Sequence, residues 1–286
     1  MANVKIFVDT SADMPEELQK QYDIGMINFL SVFGETTYVA GEALSNAEFY
    51  KKLSEAPELP KTAQTPYLDM YDILNAAAQD YDTVVYFTIS SKGSGQYHTA
   101  TRVAEEIMEQ NPDADVRIFD TMKYSLYIAA AAVYARKLLD EGMDIDAVLE
   151  RCRAYLESWE VYILVDSLEF LQKGGRIKKS TAVIGTLLDI RPVLTIRDGL
   201  IDSIEKIRGK KKIFEKLIAL IKENPEFDAE KKEFMVIHSD LENGLKLKEA
   251  VQQEFGISDI YMFSEFGPIV GTHIGPGALA VLFRKK

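Results

Sequence analysis

Three short segments place hydroxyls, amides and an imidazole where they could hold an anion. The first, Ser90-Ser91-Lys92-Gly93-Ser94-Gly95-Gln96-Tyr97, follows an apolar run and precedes a helical pattern. A Gly/Ser turn between strand and helix presents unpaired backbone N–H groups and the positive end of a helix dipole, and both favour negative charge. Ser94 adds a hydroxyl able to donate to a carboxylate or phosphate. The same residues equally suit a helix N-cap flanked by turn glycines. The second segment, Thr62-Ala63-Gln64-Thr65-Pro66, puts two hydroxyls and an amide ahead of another predicted helix, with Thr65 in a capping position. The third, Gly271-Thr272-His273-Ile274-Gly275-Pro276-Gly277, surrounds a histidine with three glycines and a proline. That composition specifies a defined loop from which a ring N–H can donate to an anion.

A fourth segment is basic. Lys173-Gly174-Gly175-Arg176-Ile177-Lys178-Lys179 has no acid between Glu169 and Asp189. Its two glycines predict a tight turn displaying Arg176, whose guanidinium fork suits phosphate or carboxylate partners; the plainer reading is a solvated face. The other histidines, His98 and His238, read as capping or packing residues. No HxH or HExxH spacing occurs, and the only cysteine is Cys152, so no metal site is expected.

Two other chemistries compete for the first segment. Gly93-Ser94-Gly95-Gln96-Tyr97-His98 approaches a dinucleotide fingerprint, with Asp120 ending the next strand, but His98 replaces the third glycine. A nucleotide-binding protein using Gly93–Gly95 stays open on these residues. A hydrolase with Ser94 as nucleophile and His273 as base is the other alternative, although Lys92 stands where a nucleophile elbow has its first glycine.

The elements around these segments set their geometry. Val4–Asp9, Thr83–Ile89 and Val116–Asp120 read as buried strands, with one or two more between Tyr22 and Tyr38. Helices are predicted from the capping box Ser45-Asn46-Ala47-Glu48 to about Ser54, from Thr65 to Ala78, and from Gly95 to about Asn111. Two more cover Ser125–Glu141 and Asp144–Glu157, and Glu55–Thr65 reads as a loop. Alternating strands and helices imply a mainly parallel sheet, whose strand ends bring the first two segments to one edge. After Ser158 the pattern changes. Asp198-Gly199 between two alternating runs predicts a hairpin. Further strands are expected at Val161–Val165, Glu233–His238 and Ala278–Phe283, with helices at Lys211–Glu223 and Leu241–Phe255. The fold class is therefore α/β with two domains: residues 1–158 around a mainly parallel sheet flanked by helices, and residues 159–286 as an α/β sandwich with antiparallel strands.

Composition supports this. The 286 residues include 33 basic and 45 acidic side chains, for a net charge of −12, and 47% are hydrophobic. The first 158 residues hold 13 basic and 26 acidic side chains, the rest 20 and 19. The acidic balance argues against nucleic-acid binding, which needs a positive surface to replace counterions. No apolar run approaches the ~20 residues of a membrane span, the N-terminus lacks a signal peptide's regions, and one cysteine suits a reducing compartment. A cytoplasmic protein is expected.

The set Asp9-Thr10-Ser11, Thr62–Pro66, Ser90–Tyr97, Leu168–Ile177, Arg191-Pro192-Val193-Leu194 and Gly267–Gly277 falls in one order over nearly the full length. It resembles the DegV family, the fatty-acid-binding subunits of bacterial fatty acid kinase. The resemblance implies two α/β domains with a long-chain fatty acid at their interface, and no catalytic residue or cofactor. It implies a carboxylate held by Thr62, Ser94 and His273, with Thr65, Gly95 and Thr272 as weaker candidates. A separate kinase catalytic subunit would phosphorylate the acid to an acyl phosphate for phospholipid synthesis, and Lys173 and Arg176 are the residues expected to face it. The sequence departs from the family pattern in two places. Asp120–Ile128 lacks the usual glycines and carries bulky residues instead, which bears on chain-length preference. Gln64-Thr65-Pro66 replaces a Gln-Pro-Ser order.

Overall fold

Short β-branched runs buried on both faces build the first sheet. The computed structural model describes residues 3–178, 190–209 and 212–286; Lys179, Lys210 and Lys211, and the interval up to Asp189, lie outside the described residues. Strands β1 (Val4–Asp9), β2 (Ile24–Ile27), β6 (Thr83–Thr88) and β7 (Val116–Asp120) pair in the order β2-β1-β6-β7, all parallel. Side chains alternate between the faces. Phe7, Val84 and Tyr86 pack under α3 (Tyr67–Asp80) and α4 (Gln96–Gln110), while Ile6, Val8, Val85 and Phe87 meet α5 (Leu126–Asp140).

Helix α5 is buried on nearly every face, from Leu126 through Leu139. A helix apolar all round belongs inside a core, and its Ala129–Ala132 run lets it fit there. With α6 (Ile145–Glu157) it joins a single hydrophobic cluster that also takes in Val161, Ile163, Leu194 and Ile237 from the second sheet. No helix among the described residues is long and apolar enough to cross a membrane.

The second sheet has six strands in the order β10-β9-β8-β13-β11-β12. They are β8 (Trp159–Leu164), β9 (Ile190–Arg197), β10 (Leu200–Arg208), β11 (Phe234–His238), β12 (Met262–Glu265) and β13 (Leu279–Arg284), antiparallel except for β11 with β12. The hairpin at Asp198-Gly199 forms as expected, with φ of 54° and 76° at its two residues, the positive values a two-residue type I′ turn requires. Again the faces alternate. Tyr162, Leu164, Val236, Val281 and Phe283 pack under α8 (Ile213–Glu223) and α9 (Leu241–Phe255), and Val161, Ile163, Ile237, Ala280 and Leu282 point the other way.

The capping box at α2 (Asn46–Glu55) is present, Ser45 Oγ accepting from Glu48 N at 3.3 Å and Glu48 Oε2 from Ser45 N at 3.0 Å. Several local expectations are corrected. The expected loop 55–65 contains the short strand β5 (Lys61–Ala63), which pairs with β3 (Leu30–Phe33); β3 also pairs with β4 (Thr36–Val39) to form a three-stranded antiparallel sheet. The glycine-rich stretch 267–277 is mostly helix, α10 (Pro268–Ile274), with proline at its start and Gly275 at its C-cap. The short elements α1 (Glu16–Gln21) and α7 (Glu169–Gly174) complete the chain. Thr65 does not cap α3, whose N-cap is Pro66 with no side-chain bond.

Candidate functional site

The carboxyl edge of the first sheet begins the site. Asp9, at the end of β1, is fully buried and accepts from Ile89 N at 3.1 Å, from Ser11 N at 3.0 Å and from Tyr86 Oη at 3.2 Å. Burial pushes its carboxyl up to about 6 against the lowering effect of those bonds. The buried Gln96 then joins two of the predicted segments. Its Nε2 donates to Thr65 Oγ1 and Tyr86 Oη, both at 2.9 Å, and its Oε1 accepts from Thr65 N at 3.1 Å. Thr65 Oγ1 donates in turn to Asn28 O at 2.8 Å. Thr65 is therefore a tie between loops and not a ligand-facing group, which corrects its place among the weaker candidates.

Thr62 and His273 meet. Thr62 lies on β5 opposite Ser31 of β3, and its Oγ1 is 3.0 Å from His273 Nε2, near the end of α10. His273 Nδ1 is buried and has no hydrogen-bond partner among the described residues. Burial first, and the nearby Arg176 guanidinium second, lower the imidazole pKa to about 4, so the ring is neutral at neutral pH. The ring approaches the backbone at Gly174 through Nδ1: a Cβ there would stand 2.3 Å from that atom. Of the two glycines, Gly175 supplies the turn with φ of 69°, and Gly174 allows the approach.

Arg176 is turned inward and not displayed. Its Nε donates to Gly93 O at 3.0 Å and its Nη1 to Gly174 O, and no carboxylate pairs with it among the described residues. An arginine whose bonds go only to carbonyls has no counter-charge beside it, so the site attracts an anion. Lys173 is exposed and pairs with Glu169 at 2.7 Å, one helical turn away.

Thr62, Ser94, Arg176 and His273 share one cavity with about 760 Å³ of space free of protein atoms, including its open mouth. Its remaining wall is almost wholly apolar. Val161, Ile163, Ile196, Ile201, Ile237, Ala280 and Leu282 come from the inner face of the second sheet. Phe29 and Ile89 come from the first sheet's edge, Leu126 and Tyr127 from α5, and Ile269, Val270 and Ile274 from α10. Ser94 Oγ accepts from Gln96 N at 3.2 Å, so it stabilises the turn through its lone pair while its own O–H stays available to donate. Gly95 is the N-cap of α4 and no part of the cavity wall, and Thr272 Oγ1 donates to Pro268 O at 2.7 Å within its own helix. Neither lines this cavity, although Thr272 lines a neighbouring pocket that shares Thr62, Arg176 and His273 with it.

Comparison with known proteins agrees with this architecture. The model of a family described as uncharacterised protein, DegV family, matches residues 3–286. The chain belongs to the DegV family. Among its relatives, a fatty acid-binding protein of Thermotoga maritima is 33% identical over 99% of both chains. The crystal structure of DegV, a fatty acid binding protein from Bacillus subtilis, superposes with a TM-score of 0.86 at 28% identity over 100% of both chains. The structure of a Thermotoga maritima protein, described as revealing a fatty acid binding function, gives 0.83 at 30% identity over 100% of both.

Among the described residues of this DegV family chain, the bonds at His273 and Asp120 do not assemble either competing chemistry. A serine hydrolase orients its base through an acid on the far ring nitrogen, and here His273 Nδ1 faces Gly174 while Nε2 is taken by Thr62. Asp120, the candidate ribose ligand, spends Oδ1 on the N–H groups of Ser91 at 3.2 Å and Met122 at 2.9 Å. His238 packs against the Phe263 ring at a centroid distance of 4.8 Å, the packing role expected of it.

Proposed function

We propose that this chain binds a long-chain fatty acid between its two sheets. The acyl chain lies along the inner face of the second sheet, and the carboxylate meets Thr62, Ser94 and His273, with the Arg176 charge beside them. The observation that carries this reading is an aliphatic cavity ending in donors and an unpaired guanidinium. Burying each CH₂ contributes about 0.8 kcal/mol, so the tail supplies most of the affinity and the donors fix which end points outward. The reading treats residues 1–158 and 159–286 as two lobes closing on the ligand.

The same proposal makes the protein a cytoplasmic carrier that presents the carboxylate to a separate kinase for conversion to acyl phosphate. A second pocket supports this: it shares Thr62, Arg176 and His273 with the first and adds Lys61 and Lys173 from the surface. Lys61 has no ion-pair partner among the described residues, so a phosphoryl donor approaching there would meet positive charge. A carrier also needs no activated nucleophile, in keeping with the surroundings of Ser94 and His273.

Native mass spectrometry of the purified protein, followed by lipid extraction, tests the binding. An adduct of fatty-acid mass is expected in the wild type and is expected to vanish in Ser94→Ala/His273→Ala. A wild-type protein that neither retains nor takes up fatty acid overturns the reading.

A further inference from the structure

The four residues ahead of α10 are each tied to the other lobe. Ser264 Oγ donates to Asp13 O at 2.6 Å, and Glu265 Oε2 accepts from Asn46 Nδ2 at 3.1 Å. Phe266 O accepts from Tyr50 Oη at 2.9 Å, and Gly267 N donates to Asp13 Oδ1 at 2.9 Å. An extended segment bonded at four successive residues has little freedom, and it leads directly into the helix that carries His273.

Asp13 holds more than this segment. Its Oδ2 accepts from Ser125 Oγ at 2.5 Å, and Ser125 is the N-cap residue of α5 and part of the cavity wall. Ser125 adopts φ of 57° and ψ of −136°, a backbone state that suits glycine, with its N–H bonded to Ser11 O at 3.0 Å. A serine persists in such a conformation only where its surroundings over-determine it. One carboxylate, nearly inaccessible to solvent, thus reaches the first residues of two cavity-lining helices, α5 on one side and α10 on the other.

We infer that Asp13 is a positioning residue: it sets the placement of His273 and of the α5 wall for the carboxylate-binding site without touching the ligand. The inference rests on the fatty-acid reading for its binding readout and on His273 alone for its second readout. Removing the side chain leaves Gly267 N–H and Ser125 O–H without their acceptor, and the cost falls on the placement of both helices. Asparagine keeps an acceptor for Gly267 N, and its amide can donate to Ser125 Oγ.

The test compares palmitate affinity and the imidazole ¹⁵N resonances of His273 in Asp13→Ala, Asp13→Asn and Leu217→Ala, the last a control in the core beneath α8. Asp13→Ala is expected to weaken palmitate binding by about tenfold or more and to move the His273 resonances. Asp13→Asn is expected to restore both, and Leu217→Ala is expected to lower the melting temperature and move neither. Should Asp13→Ala not fold, Tyr50→Phe/Ser264→Ala cuts the same tether while keeping the carboxylate, and a smaller change in the same two readouts is expected. Unchanged binding and resonances in the alanine or double variant, an equal change in Leu217→Ala, or no recovery in Asp13→Asn overturns the inference. A wild-type protein that fails to bind palmitate sinks the fatty-acid reading instead and leaves the resonance comparison standing.

Discussion

Arg176 separates the charge of the ligand from its length. Replacing it with methionine keeps most of the apolar stem and removes the guanidinium that lies beside His273 and lines the cavity with Ser94. A hydrogen bond to a charged group contributes about 1.5–3 kcal/mol, so palmitate affinity is expected to fall about 10- to 150-fold. Hexadecanol has the same tail and no charge, and its affinity is expected to change less than about threefold. The imidazole supplies an internal check. Arg176 is the second cause of the depressed His273 pKa, after burial, so the value is expected to rise from about 4 in Arg176→Met. Isothermal calorimetry with both lipids at neutral pH, and an NMR titration of His273, measure these quantities. Palmitate and hexadecanol weakening equally would show that the arginine acts by packing alone, and unchanged palmitate binding would refute the electrostatic account.

Three further outcomes are expected. Asp9 and Asp13 have carboxyls raised by burial from 3.8 to about 6 and about 7, so between those values the folded state binds more protons than the unfolded state. Their contribution to stability is full at lower pH and is lost as pH rises through those values; for Asp13 this is about 4 kcal/mol, and urea unfolding of Asp13→Asn is expected to show a shallower decline from pH 5 to pH 8 than the wild type. Gly174→Ala places a methyl group 2.3 Å from His273 Nδ1, and competition with a fluorescent fatty acid is expected to show affinity reduced by about tenfold as the ring moves off Thr62. Tyr127 is 2% exposed, lines the cavity and donates from Oη to Trp159 O at 3.3 Å; Tyr127→Ala is expected to cost about 3–5 kcal/mol by thermal unfolding and to shift preference from palmitic toward arachidic acid in a mixed-lipid competition.

How much of this is legible in the sequence depends on the range over which each signal acts. The strands β1 and β6, the capping box at Ser45 and the Asp198-Gly199 hairpin are local, and the residues that specify them lie within a few positions of one another. The parallel order of β1, β6 and β7 follows from alternating strands and helices, but Thr62 reaches the Ser94 edge on β5 of the separate three-stranded sheet and not at the end of a strand of the parallel one. Helix α10 was hidden because glycine and proline carry two meanings: Gly267, Pro268 and Gly275 mark a loop by composition and a capped helix by position. Strand β5 is three residues long between prolines, and its pairing with β3 spans about thirty positions, beyond any local periodicity. The inward direction of Arg176 depends on Gly93 O, which lies 83 residues away. Asp13 carried no signal of its own, since its partners Ser125 and Gly267 are distant in the chain and one of them is a backbone amide.

The bulky segment Tyr124–Tyr127 joins these threads. Tyr124, Ser125, Leu126 and Tyr127 all line the cavity, and residues from both sheets hold them in place. Tyr124 Oη donates to Gly199 O at 2.7 Å, so the larger ring ties the hairpin turn of the second sheet to the edge of the first. Ser90 Oγ donates to the same carbonyl at 2.8 Å. Ser125 holds a glycine-like conformation only because Asp13 and Ser11 bind it on both sides. A helix start with little backbone freedom stiffens the cavity wall, and on the fatty-acid reading a stiffer wall is expected to discriminate more sharply among acyl chains because a misfit cannot be relieved by small shifts. On the fatty-acid reading this segment is therefore expected to act on which tail is accepted, while the proposed headgroup residues Thr62, Ser94, Arg176 and His273 line the same cavity from outside it.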